Sequence, residues 1–235
     1  MIENISLGWA LRIIGIVAGI MNLIASTLLR NRNEIIKPPM RGFDLNLIRR
    51  LPVIILLSWA FTSMLGYMVI LYSLPDFSRS IGLTNSQAAA TAAFLNLGTA
   101  VGRPCIGLLS DRFGRIEIAG LSTLICGISV FAVWLPATSY GVTVFFSLVS
   151  GAILGVFWMT ISPLSVEVAG LVELPSLLSL AWATVVLPTT FAEVIALKLR
   201  RPTSGREYLY PQVFAGTAYL VASALLFVLW RFQKA

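Results

Sequence analysis

Histidine is absent from this 235-residue chain, and charge is scarce: Asp, Glu, Lys and Arg together make up 11% of it. Without histidine there is no imidazole base, no imidazole metal ligand and no usual partner for a nucleophilic serine. A soluble domain is nearer a quarter charged, so the composition argues against a water-soluble globule. Cysteine is down to two residues, Cys105 and Cys126, both inside apolar runs. They read as small packing residues rather than a disulfide, a metal site or a nucleophile. No metal-ligand cluster and no convincing carboxylate pair supports chemistry, so the expectation is no enzyme, no metal and no cofactor. The net charge of +7 flanks apolar stretches. Membrane orientation and contact with membrane lipids account for it better than nucleic acid does.

What fills the chain instead is apolar residues, 57% of the total, in blocks of about 20. Seven candidate spans follow: Ile13–Leu29, Leu51–Leu74, Ser86–Leu109, Ile118–Leu135, Val142–Leu164, Leu177–Leu197 and Val213–Trp230. Each is long and unbroken, and a helix satisfies its own backbone in lipid; a barrel would show shorter alternating segments. The expected fold class is an all-α, multi-pass integral membrane protein with about seven transmembrane helices. Three parts are expected: a helix at 1–29, a basic linker at 30–50, and a six-helix body at 51–235. The six divide as three plus three around the Pro136–Tyr140 turn, and Pro188 should permit a bend in the sixth span. Asn4-Ile-Ser6 matches a glycosylation sequon but lies too near the first span to be credited.

Lysine and arginine set the orientation. The segment Arg30–Arg50 holds six basic residues against Glu34 and Asp44, which places it in the cytoplasm. Alternation then puts Arg112, Arg115, Arg231 and Lys234 inside. The misfit is the sixth-to-seventh connection, where Lys198, Arg200, Arg201 and Arg206 fall outside. The inside still leads by ten to five, leaving aside Arg12 and Arg103.

The densest motif is Gly107-Leu-Leu-Ser-Asp111-Arg112-Phe-Gly114-Arg115, pinned between two spans. It must form a tight loop at the bilayer surface. Asp111 near the start of a neighbouring helix, such as one opening at Pro175-Ser176, would meet the positive end of its dipole. Made in one conformation and broken in another, that contact would bias a two-state switch; the plainer alternative is that these charges anchor the loop to headgroups. The motif resembles the signature loop of the major facilitator superfamily, matching at Gly107, Asp111, Arg112, Gly114 and Arg115 and departing at Ile116, where a second basic residue is usual. Upstream, Asn96-Leu-Gly98-Thr99-Ala-Val-Gly102-Arg103-Pro104 looks like helix eight of the monocarboxylate-porter family, closest in style to fungal permease-like members. The resemblance implies the superfamily's helix six, its central linker and its C-terminal six helices. It implies movement of a small organic anion or related metabolite, with or without a proton, by alternating access. It also implies a partner: the six-helix N-terminal half, or a protein supplying it. The plasma membrane is expected ahead of the vacuolar one. The competing reading is a truncated, non-transporting membrane protein that assembles with or regulates another transporter.

Arg103 is the first candidate for solute contact. An arginine inside a spanning helix costs at least about 3 kcal/mol and normally faces a cavity or a partner. Its guanidinium offers a carboxylate two parallel donors; the alternative is an internal salt bridge to Glu193 or Glu167. Asn96 and Thr99, seven and four residues earlier, share its face and would line a pathway or bond between helices. Relatives are expected to carry an aspartate where Thr99 stands, and threonine cannot carry a proton. Glu193 is the acid well inside the sixth span, so it is either a proton site or an ion-pair partner of Lys198 and Arg200. Tyr67 and Trp182 are candidate lining or packing aromatics, and Gly151 and Gly155 form a small-residue step for close packing.

Overall fold

A backbone in hydrocarbon has to satisfy its own hydrogen bonds, and among the described residues every regular element is helical. The structure, a computed structural model, describes residues 7–28, 42–201 and 205–234. The sequon and most of the basic linker therefore lie outside the described residues. The chain divides into two units, Met1–Pro38 and Pro39–Ala235.

The first unit holds α1, Leu7–Leu28. Its polar side chains return their donors to their own helix: Asn22 Nδ2 to the Ala18 carbonyl at 2.9 Å and Ser26 Oγ to that of Asn22 at 2.8 Å. Arg12 lies over the Trp9 ring, 5.2 Å from its centre.

The second unit begins with a 3₁₀ turn at Leu45–Arg49, where Asp44 accepts from the Asn46 N–H. Then come α2 (Leu51–Ser80), α3 (Asn85–Phe113), α4 (Arg115–Ser129), α5 (Tyr140–Leu154), α6 (Val156–Leu199) and α7 (Leu209–Lys234). Pro52 at the start of α2 uses a position whose N–H has no helical partner. A capping box opens α3: Thr84 Oγ1 accepts from the Gln87 N–H at 3.3 Å while Gln87 Oε1 accepts from the Thr84 N–H at 3.0 Å. A π turn at Val130–Trp134 extends α4, with the Leu135 N–H reaching the Val130 carbonyl at 2.8 Å.

Six stretches among the described residues are long and apolar enough to cross a membrane, and one of them, Tyr140–Leu199, runs to 60 residues. At 1.5 Å per residue that is roughly 90 Å, about three bilayer cores. It breaks at Gly170, whose φ of 81° and ψ of 170° no other residue type adopts readily. The break leaves one rod over 140–169, jogged at Gly155, and a second over 171–199, so the described residues supply seven rods. The helix runs through Pro163, Pro175 and Pro188 with helical dihedrals, and the departure at Gly170 falls in the gap expected between the fifth and sixth spans. The second limb of α6 thus starts ahead of Pro175-Ser176, which is no helix opening.

The connection between α3 and α4 is a single residue. Gly114 has φ of 104°, its N–H bonds the Ser110 carbonyl at 3.2 Å, and its own carbonyl takes the Ile118 N–H at 3.1 Å. The tight surface loop expected from the motif is therefore one left-handed glycine, which explains the residue type at that point in physical terms.

Packing pairs α3 with α5, α2 with both α6 and α7, and α4 with α7. The α3–α5 seam is backbone on backbone. A Cβ on Gly98 would press on the Leu148 carbonyl, one on Gly102 on Ala152, and one on Gly151 on the Leu95 carbonyl. Small residues let dispersion between backbones substitute for the hydrophobic effect, which is weak between helices in lipid. Two buried cores are strung along the bundle. One, around Trp59, Phe157, Leu177 and Leu226, includes Ile116 just after Gly114. The other, around Phe77, Trp134, Phe146 and Tyr219, includes Tyr208. Cys126 is buried and Cys105 exposed, and both are free thiols.

Gly102→Ala should lower stability by about 1–3 kcal/mol, because the added methyl meets fixed backbone. Gly141→Ala, where a Cβ meets nothing within 4 Å, should be neutral or slightly stabilising. Thermal unfolding of the two variants in detergent checks this; equal midpoints would mean that the seam yields.

Candidate functional site

On α3 the three expected site residues keep one face, but they do different work. Asn96 is exposed and donates its amide to the Ala92 carbonyl at 2.9 Å. Thr99 sits in the seam, with its hydroxyl 3.0 Å from both the Leu95 and the Gly151 carbonyls, so it ties α3 to α5. Arg103 is half-buried, and its Nε is enclosed without a hydrogen-bond partner. No described carboxylate pairs with it. Glu193 is 3.0 Å from the hydroxyl that Ser73 donates across from α2, and Glu167 forms no contact ion pair with Arg103 or with any other described cation.

The two glycines of the expected packing step separate in role. Gly151 meets the Leu95 backbone, whereas a Cβ on Gly155 would lie 2.8 Å from Arg103 Nε and 3.0 Å from its Cγ. Gly155 is a notch that receives the Arg103 side chain. One turn further along, Trp158 begins an aromatic wall: it meets Tyr67 of α2 edge-on (6.1 Å between ring centres), Phe157 edge-on (5.3 Å) and Trp182 of the second limb at a tilt (5.6 Å). Trp158 and Trp182 are 36% and 44% exposed, which sets them apart from the fully buried Trp59 and Trp134. Sequence reasoning picked out Tyr67 and Trp182 but missed Trp158. Its position three residues after Gly155 was the available signal, since that spacing puts it on the arginine's side of the helix.

At the end where α2 and α3 connect, a charge network joins three segments. Asp76 Oδ2 lies 3.1 Å from Arg200 Nη1 and accepts from the Tyr208 hydroxyl at 2.8 Å, while Asp76 Oδ1 meets Arg79 at 3.1 Å. Arg200 Nε donates to Glu207 at 2.6 Å and its guanidinium lies over the Tyr208 ring at 5.0 Å. Burial, then the bond donated to Asp76, pushes the Tyr208 phenol above its ordinary range, so it stays a donor. Arg200 therefore engages Asp76 and Glu207 rather than Glu193. Arg201 stacks on Tyr210 at 4.4 Å. These arginines, the misfit in the charge count, are matched locally by two acids and two aromatic rings.

The opposite end carries the Gly107–Arg115 motif. Arg50 and Glu173 form a two-point ion pair at 2.5 and 2.9 Å, and Glu117 takes Trp230 Nε1 at 2.9 Å and Lys234 at 3.3 Å. Arg115 acts electrostatically on Glu167 without touching it. Arg112 lies over the Phe113 ring at 5.4 Å, and a Cβ on Gly107 would meet Met159 at an ordinary 3.6 Å. Asp111 is exposed and makes no hydrogen bond or ion pair among the described residues.

Comparison with known proteins adds kinship to this geometry. The family model described as Major Facilitator Superfamily matches residues 1–192 and 56–234. The probable transporter MCH2 of Saccharomyces cerevisiae is 29% identical over 230 residues, covering 95% of this chain and 49% of that one. The uncharacterized transporter ESBP6 of the same yeast is 31% identical over 241 residues, covering 96% of this chain and 35% of its own length. The Fujikurins efflux protein of Gibberella fujikuroi is 30% identical over 135 residues, covering 57% of this chain and 29% of that protein. The chain spans half or less of the length of these relatives.

Asp76→Asn should cost about 1–2 kcal/mol, because it weakens three partners at once at a half-buried site. Arg79→Gln, on the more exposed arm, should change stability by less than about 0.5 kcal/mol. Unfolding midpoints in detergent compare the two; an Asp76→Asn variant as stable as the parent would show that the network holds nothing together.

Proposed function

The chain belongs to the major facilitator superfamily, and from that premise we propose that it forms the C-terminal half of a secondary transporter, moving a small, monocarboxylate-like organic anion by alternating access. The observation that carries this reading is Arg103: a half-buried cation on a spanning helix, unpaired among the described residues, beside an exposed aromatic wall. Leaving such a charge unanswered is costly in lipid. A carboxylate arriving from the pathway would answer it through parallel N–H donors. Trp158, Tyr67 and Trp182 would meet the apolar body of the solute. Asn96, exposed about two turns before Arg103, would supply a neutral polar contact.

The pairing of helices supports the proposed inverted triplets. Exchanging the first three rods of the body for the last three maps α3-on-α5 onto the second limb of α6 on α2, a pairing supported by the Ser73–Glu193 and Arg50–Glu173 contacts, and maps α4-on-α7 onto itself. The first helix and the basic linker read as the end of the other half and its tether. The other wall of the pathway comes from that six-helix half, in a longer chain or from a partner. The plasma membrane is the proposed site of action.

The loop around Gly107, Asp111, Arg112, Gly114 and Arg115 gates in this reading. Asp111, without a hydrogen bond or ion pair among the described residues, would meet a helix terminus of the opposite half in one conformation alone. Glu193 is the proposed proton site. It faces a neutral serine rather than a cation, so taking up a proton removes an uncompensated charge.

In the assembled carrier, Arg103→Gln should reduce uptake of radiolabelled organic acids to background at unchanged membrane abundance, with Arg103→Lys intermediate. Uptake surviving at normal affinity would remove Arg103 as the anion anchor. Measured at two external pH values in the same screen, the parent should be faster at acid pH and Glu193→Gln indifferent to pH; a variant that keeps the acid stimulation would place the proton elsewhere. Asp111→Asn should shift the labelling of reporter thiols toward one side of the membrane, and unchanged labelling on both sides would end the gating role.

A further inference from the structure

Away from the proposed pathway, α4 and α7 enclose an apolar groove of about 280 Å³. Its walls are Leu121 and Leu124 on one helix and Leu226 and Phe227 on the other, and its floor is Gly120 with Ser223, whose hydroxyl reaches the Gly120 carbonyl at 3.4 Å. Leu121, Leu124 and Phe227 are exposed, so the groove opens sideways from two spanning helices. Along α4 it runs from Ile116 to Leu124, roughly 12 Å by helical rise. That is close to the depth of one leaflet, half of a hydrocarbon core about 30 Å thick.

The groove is capped at the Gly114 end by charge and aromatics. Glu117 and Trp230 close it, joined by the indole N–H at 2.9 Å. Lys234 pairs with Glu117 and also lies 4.3 Å from the Trp230 ring centre. Arg231 lies over both Phe227 (5.5 Å) and Trp230 (5.6 Å), two lining residues, and it makes no ion pair among the described residues. The mouth thus presents two cations against one acid, with one cation unmatched, at the depth where indoles sit between lipid and water.

We propose that this groove is a binding site for an anionic phospholipid, its acyl chain lying between α4 and α7 and its phosphate on Arg231 and Lys234. A one-leaflet apolar slot fits a chain, and the unmatched guanidinium at its mouth selects a negative headgroup. The site is independent of the transport reading: it needs neither Arg103 nor a second half.

The full chain, reconstituted in phosphatidylcholine vesicles, tests this through Trp230 fluorescence. A small fraction of phosphatidylserine brominated on its acyl chains should quench more strongly than the same fraction of brominated phosphatidylcholine. The local preference should be roughly fivefold. The excess should disappear in Trp230→Phe, which removes the reporter, and fall several-fold in Arg231→Gln. Leu121→Phe, filling the slot at an exposed position, should abolish it while leaving the fold intact by circular dichroism. Equal quenching by the two lipids would overturn the proposal. So would an excess untouched by Arg231→Gln, or a stable dimer that shields Trp230 from both lipids and so assigns the face to another helix.

Discussion

The close approach of α3 and α5 governs the geometry of the helices that follow the linker. Gly98, Gly102 and Gly151 bring two backbones into contact, and everything proposed for α3 is measured from that seam. Thr99 is drawn in until its hydroxyl spans to the Gly151 carbonyl, a tie between the two helices. Arg103, one turn on, is then held at the edge of the seam, with Gly155 opening just enough room for its side chain. In lipid, where apolar side chains gain little by meeting each other, such backbone contact fixes position more firmly than side-chain packing does.

Charge is used sparingly and is segregated by depth. Asp76, Arg200, Glu207 and Tyr208 tie α2 to the α6–α7 connection at one end, while Arg50–Glu173 and Glu117–Lys234 brace the other. Between these ends lie two groups without a charged partner among the described residues, Arg103 and Glu193. An unanswered charge inside a span is costly, and the proposed roles of Arg103 and Glu193 rest on that contrast. At the surface, Asp111 and Arg231 have no ion pair among the described residues, beside neighbours that are matched.

Much of this was legible in the linear order of residues. Runs of apolar residues interrupted at Pro136 and at the Gly107–Arg115 motif gave the rods, because lipid leaves a polypeptide of this composition little choice but helix. Arg103 was visible as an expensive exception, and Gly107–Arg115 as a dense island between spans. Other points were not legible. Gly170 carries no mark that separates it from glycines lying inside helices, so the interruption was expected between Leu164 and Leu177 without its residue being singled out. Trp158 looked like one more aromatic in an apolar run. The arginines of the α6–α7 connection upset the charge count because pairing with Asp76, 124 residues away, depends on tertiary contact.

The sequence by itself determined that the chain is helical, membrane-spanning and of facilitator kinship, since those follow from run length, scarcity of charge and a short motif with a required left-handed glycine. The tertiary structure alone decided which polar groups are answered and which are left open. Whether Thr99 faces a seam or a pathway, whether Glu193 meets a cation or a serine, and whether Gly155 packs a helix or receives an arginine all turn on what the neighbouring rod places opposite. That is set by rotations and contacts between segments far apart in the chain, which no local pattern encodes.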